Sequence, residues 1–311
     1  MNRWLRWILG VLGLVVVLVL AALLIISRKE ALAFVHITPD ERHQRTLDEA
    51  DLVQSPAGYE LPYEDVRVTT SDGLNLVGWY VPSDNGAAVM LVPGYEEPRY
   101  LMLEEAAMLH RHGYGALLVS VRAHDLSDGE IASFGCGDRE MADLEAWHRY
   151  LLSREDVDPG RVGILGQSMG GSLVIQYARR EPAIAAVVAH SPFSSVRDTV
   201  QTVVEWKTGL PGWVFGPFML FWARVEIGCD LTSVSARDWI GDISPRPVFI
   251  LDAGMDDVVS ATSSEVLFDA AGEPKEWWRC EECGHHELDT VRPQEFEDRV
   301  VGFFDRALAA P

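Results

Sequence analysis

Hydrophobic positions along this chain follow three patterns in turn. Residues 7–26 form one uncharged run rich in Leu, Val and Ile. As a helix it is long enough to cross a hydrocarbon core of about 30 Å. Residues 27–62 are mixed. Within them Thr38-Pro39-Asp40-Glu41 predicts a helix start, with a capping threonine, a proline at the first helical position and a glutamate that completes a capping box. That helix is expected to run to about residue 53. From residue 63 onward, short apolar runs alternate with segments of helical period. A hairpin is predicted over 66–69 and 74–81, around Ser71-Asp72-Gly73. Further strands are predicted at 87–92, 116–121, 162–165, 184–189, 248–251 and 275–280, and helices at 99–112, 137–152, 169–180, 262–271 and 293–309. Alternation at this spacing implies βαβ units and a mostly parallel sheet with helices on both faces.

One stretch departs from the alternation. Residues 195–243 are long for a crossover and carry Trp206, Trp213, Phe215, Phe218, Phe221 and Trp222, with Pro211 and Pro217 expected to break them up. They predict a small helical cap over the strand ends, its aromatics either lining an apolar substrate pocket or burying the cap against the body. The domain organisation that follows is an anchor over 1–29, a connector over 30–62 and a catalytic-sized domain over 63–311, with the cap inserted in it.

Composition and charge narrow the function. Of 311 residues 48% are hydrophobic, and the net charge is −21, which excludes a nucleic-acid binder because phosphates would be repelled. The excess of acid lies beyond residue 30, so the domain is expected to stand off anionic lipid head groups. Arg3 and Arg6 precede the apolar run, and Arg28, Lys29 and Glu30 follow it. This slightly favours an N-terminus inside and a domain outside the cytoplasm. A cleaved signal with Ala31-Leu32-Ala33 as its site is the rival, but the run is longer than an ordinary signal core. The cysteines are Cys136, Cys229, Cys280 and Cys283. Disulfides 280–283 and 136–229 are open possibilities, as are free thiols. Cys280 and Cys283 lack the second pair a zinc site needs, so neither metal nor cofactor is expected.

The chemistry is carried by Gly166-Gln167-Ser168-Met169-Gly170. This G-x-S-x-G lies between a predicted strand and a predicted helix, the context of a nucleophile elbow. A serine hydroxyl needs a base, and the base an orienting acid. Of nine histidines only His285 and His286 lie beyond the strand at 248–251, and Asp252, Asp256 and Asp257 are available as the acid.

These motifs resemble the α/β-hydrolase superfamily over about residues 64–309. The likeness is greatest to its membrane-anchored bacterial branch of esterase-like and dienelactone-hydrolase-like serine hydrolases. Asp256-Asp257-Val258-Val259-Ser260 is similar to that family's D-x-V-V-P turn, with serine for proline. Gly284-His285-His286-Glu287-Leu288 is similar to its G-H-x-E-L stretch. The resemblance therefore implies Asp256 as acid, with Asp257 second, His285 as base, and His286 as a solvated neighbour. Pro93-Gly94-Tyr95 resembles the family's H-G-x, which implies backbone N–H groups of Tyr95 and Met169 as the oxyanion hole. Glu96 and Glu97 stand where the family often has glycines, and are expected to form an exposed acidic loop. Arg122 and His124, in a D-x-R-x-H-G-x-S-like stretch, are expected to be structural.

The implied activity is hydrolysis of a small-molecule carboxylic ester through an acyl-enzyme, with a rate that rises with pH as the histidine loses its proton. A serine peptidase of the same fold, gripping a substrate amine with Glu96 and Glu97, is the alternative. An inactive, membrane-tethered binding module is a third reading.

Overall fold

In a computed structural model the chain is described over residues 2–42, 52–209, 211–260 and 262–310. The apolar run lies in a helix, α1 (Arg3–Val35), whose most apolar window has a mean hydropathy of 3.3 and is wholly exposed. The helix does not stop with the apolar run. It continues through Arg28, Lys29 and Glu30, and Ser27, Ala31 and Val35 are buried against the domain. Recurring every fourth residue, they make one face. This small-residue face lets the C-terminal turns of the helix close on the domain. The capping box forms: Thr38 N–H donates to Glu41 Oε2 at 2.8 Å, and Glu41 N–H to Thr38 Oγ1 at 3.3 Å. Residues 43–51 of that predicted helix lie outside the described residues, as does the side chain of Trp206, and residues 52–53 are not helical.

Eight strands form one sheet in the order β1-β2-β4-β3-β5-β6-β7-β8. The hairpin β1 (Glu64–Thr69) and β2 (Asn75–Val81) is antiparallel, and β2 runs antiparallel to β4 (Gly115–Val119). The rest is parallel: β3 (Ala88–Val92), β5 (Val162–Gln167), β6 (Ile184–His190), β7 (Val248–Ala253) and β8 (Lys275–Cys280). These strands read as continuous apolar runs because helices cover both faces. Helices α2 (Leu103–Arg111) and α8 (Pro293–Ala307) pack on one face. Helices α3 (Arg139–Leu152), α4 (Met169–Arg180) and α7 (Ser263–Ala270) pack on the other. The chain leaves β3 to one side for β4 and returns to the other side for β5. The strand order therefore reverses beside β3, and ligands of open α/β sheets bind outside the carboxyl ends at such a point.

Residues 195–243 hold two long helices, α5 (Val196–Thr208) and α6 (Gly212–Ile227), followed by short 3-10 turns. Pro217, expected to break this region, lies inside α6. A proline in the interior removes one backbone hydrogen bond, and packing against α1 and α5 holds the helix through it. Two disulfides close the loops above the strand ends. Cys136–Cys229 joins the start of α3 to the end of α6, and Cys280–Cys283 closes the turn after β8.

Candidate active site

Ser168 stands between β5 and α4 with φ 52° and ψ −114°, a conformation that costs a non-glycine residue of order 1–3 kcal/mol. The surroundings hold it there. Its N–H donates to the His190 carbonyl at 2.8 Å. A Cβ on Gly166 would lie 2.3 Å from the Gly170 carbonyl oxygen, and one on Gly170 only 2.2 Å from that of Val92. Glycine at both positions lets strand, turn and helix meet, and brings the loop after β3 against the first turn of α4. The first N–H groups of α4, Met169's among them, have no intrahelical acceptor. Tyr95 lies in the facing loop, where its hydroxyl donates to the Phe34 carbonyl at 2.6 Å.

Two side chains from later in the sequence line up on Ser168. His285 Nε2 lies 2.9 Å from Ser168 Oγ, and His285 Nδ1 lies 2.5 Å from Asp256 Oδ2. Asp256 Oδ1 accepts from the N–H groups of Val258 and Val259 at 2.9 and 2.8 Å, so the turn that carries this carboxylate also fixes it. The other two candidate acids lie elsewhere. Asp257 is exposed. Asp252 is inside β7, buried, and paired with Arg279 at 2.8 Å. Among the described residues no cluster of His, Cys, Asp or Glu is arranged to hold a metal ion.

Two expectations for the neighbouring residues fail. Glu97 is buried rather than in an exposed loop. It accepts from Gly94 N–H at 2.7 Å and pairs with His286 at 3.0 Å. His286 is correspondingly not a solvated neighbour. It stacks on His285 with ring centroids 4.2 Å apart. Burial alone would lower its pKa, but the carboxylate of Glu97 carries it above the ordinary histidine value. Glu96 does remain exposed. Arg122 and His124 are buried: Arg122 bridges Asp143 and Asp72, and His124 Nδ1 lies 2.8 Å from the Arg122 carbonyl oxygen.

Below His286 lies His190, at the end of β6. Both its ring nitrogens are buried with no hydrogen-bond partner among the described residues. Burial, then the nearby His286 and His285, hold it well below the usual histidine value, so it stays neutral in the folded protein. The unfolded chain binds a proton here below about pH 6.5, which the folded state refuses. Stability should therefore fall as pH drops through that value, by up to about 1.4 kcal/mol per pH unit. His190→Leu is expected to flatten the acid limb of Tm between about pH 7 and 5. Parallel limbs for variant and parent would contradict it.

Sequence reasoning missed the role of Glu97 and the support behind the elbow. Glu105 on α2 is fully buried and accepts from Gln167 Nε2 at 2.5 Å, directly before Ser168. Burial first, with Asp289 adding to it, raises its pKa well above the usual carboxylate range. A glutamate at a core position of a helix was the only available signal. Nothing in the sequence pointed to Phe34, far upstream in α1, as a partner of Tyr95.

A sheet in this order, with a strained serine at the turn after β5 and a histidine and a carboxylate on the loops after β8 and β7, defines an α/β hydrolase of the esterase-like kind. Residues 83–239, just over half of the chain, match the hydrolase family described as serine aminopeptidase, S33, and the chain belongs to that family. An uncharacterized protein of Mycobacterium tuberculosis is 31% identical over 259 residues, covering 79% of this chain and 82% of that one. A polyketide transferase of Stachybotrys chlorohalonatus is 25% identical over 289 residues, covering 79% and 97%. An esterase of Pyrococcus furiosus superposes with a TM-score of 0.69 at 25% identity, covering 83% of this chain and 97% of that one.

Proposed function

We propose that this protein is a membrane-anchored serine hydrolase that cleaves carboxylic esters through Ser168, His285 and Asp256. The observation that carries the reading is the continuous relay from Asp256 Oδ2 through both nitrogens of His285 to Ser168 Oγ. His285 takes the hydroxyl proton as Ser168 Oγ bonds to the ester carbonyl carbon, and Asp256 steadies the imidazolium. Backbone N–H groups of Tyr95 and Met169 receive the charge that develops on the carbonyl oxygen. The alcohol leaves with the proton from His285, and the acyl group stays on Ser168. Water, deprotonated by His285, then releases the acid. The apolar span of α1 is the anchor. Two disulfides among the described residues fit a domain held in an oxidising compartment, outside the cytoplasm.

The family's description favours a second reading, a serine peptidase of the same fold. Against it stands Glu97. Its carboxylate is engaged by His286 and Gly94 N–H, so Glu96 and Glu97 do not form a matched pair for a substrate amine.

The test is labelling of the full chain with a fluorophosphonate probe, with the modified residue located by mass spectrometry. Stoichiometric labelling at Ser168 is expected. Folded protein that stays unlabelled would support the binding-module reading instead.

A further inference from the structure

The cap helix α6 carries a stripe of exposed apolar residues that the ester-hydrolase reading does not use. Trp213 is 71% exposed, Phe221 52% and Val225 60%, and Pro217 falls between them on the same face. Such a surface on a water-soluble protein would need a cover. The position of α6 relative to α1 identifies that cover.

The two helices pack side by side. Arg28 stacks over the Trp222 ring at 5.9 Å. Just past the end of α1, His36 Nε2 meets Glu226 Oε1 at 2.8 Å, further along α6. The contacts occur in the same order on both helices, so α6 runs in the direction of α1. Its N-terminal turns accordingly lie toward the apolar span. The face of α1 that they cover begins at the half-buried Leu23, inside the uncharged run. Charge follows the same gradient. The only ionisable residues of α6, Arg224 and Glu226, lie near its C-terminal end, away from the span. At its N-terminal end the carboxylate of Glu205 is occupied as a cap, accepting from Gly212 N–H at 2.9 Å. A helix apolar almost all round, continuous with a membrane span and charged only at its far end, matches the depth profile of a bilayer and its interface.

Helix α1 reaches the candidate site, and α6 packs into the same core. Phe34, in the last turn of α1, accepts the Tyr95 hydroxyl and stacks on Phe134 at 4.9 Å. Tyr95 also stacks on Phe134 at 5.3 Å. These rings, Met169 beside the serine, and the inner faces of α5 and α6 belong to one apolar cluster. Apolar packing is therefore continuous from the loop after β3 to the inner face of α6.

We propose that the N-terminal half of α6 is seated in the bilayer that α1 spans, and that the site takes acyl esters resident in the lipid phase rather than esters dissolved in water. This rests on the ester-hydrolase and anchor readings above. The experiment is chosen so that its first arm requires no catalysis.

Trp213→Cys and Phe221→Cys, made singly, are labelled with an environment-sensitive fluorophore in the full chain. The protein is reconstituted in phosphatidylcholine vesicles containing a nitroxide-labelled acyl chain. Ile25→Cys serves as the embedded reference and Leu152→Cys as the aqueous one. Probes at 213 and 221 are expected to be blue-shifted and quenched by the lipid nitroxide as at position 25. A blue-shifted probe that the lipid does not quench would mean that a protein partner covers the stripe. A probe that behaves as at position 152 would mean that nothing does. Either result overturns the proposal, and neither depends on Ser168. In the second arm, Trp213→Arg with Phe221→Arg is expected to lower turnover of a vesicle-borne long-chain ester, relative to a short water-soluble ester, on the order of tenfold. An unchanged ratio with an active enzyme would refute the assigned substrate class. Inactivity of the parent on both esters would instead refute the hydrolase reading.

Discussion

Replacing Ser168 by alanine is expected to lower kcat/KM for a nitrophenyl ester on the order of 10⁴ to 10⁶, with the fold intact. In triad enzymes the nucleophile and its base act as one unit, and removing either removes most of the rate enhancement. In the proposed mechanism the backbone donors at Tyr95 and Met169 survive the change, so a residual rate above that of water should remain. Stability offers a second readout. The residue holds φ 52°, which alanine finds as costly as serine does, whereas glycine adopts it freely. Ser168→Gly should therefore be as inactive as Ser168→Ala, yet more stable by about 1 kcal/mol. Retention of even a tenth of the parent activity in Ser168→Ala would remove Ser168 from the mechanism.

Asp256→Asn should cost roughly 10⁴ in kcat, while Asp257→Asn stays within a few-fold of the parent. The reason is the hydrogen-bond polarity of the turn. Asp256 Oδ1 accepts from two backbone N–H groups, so an asparagine there keeps its carbonyl oxygen on that side. Its amide N–H₂ then faces His285 Nδ1. That forces Nδ1 to accept and puts the proton on Nε2, which can no longer receive one from Ser168. KM should change little, because the substrate is not touched. The exposed carboxylate of Asp257 lies outside the relay, and its charge is screened by water. Kinetics of the two variants at one pH distinguish the adjacent acids, and equal losses would contradict this geometry.

Much of the fold was legible because strand and helix periods are local. The helix predicted at 169–180 is α4, Met169–Arg180. The predicted strands all occur within a few residues of their expected ends. The elbow was legible for the same reason. Two glycines flanking a serine between a buried run and a helical run describe a turn whose geometry is set by its own residues. The histidine and acid could be narrowed from chain order, and the family resemblance then singled out His285 and Asp256. Their meeting at Ser168 depends on strand order, which no local pattern contains.

The errors have a common physical origin. Glu97 reads as an exposed acid, yet three-dimensional packing gives its charge an interior partner in His286. His286 looked idle because its partner is remote in sequence. The apolar character of α6 was visible as a row of aromatics. Whether those aromatics faced a pocket, the body or the outside could not be read from their spacing.

The sequence by itself determined the elements, the elbow, the small set of groups able to serve it, and an apolar span ahead of the domain. Each of these follows from neighbouring residues, through backbone propensity, side-chain period and chain order. Only the tertiary structure decided which carboxylate reaches His285, that Glu97 pairs with His286, and that the last turn of α1 sits against the loop after β3, with α6 packed beside α1. Those are contacts between residues far apart in the chain, and they are fixed by how the layers pack.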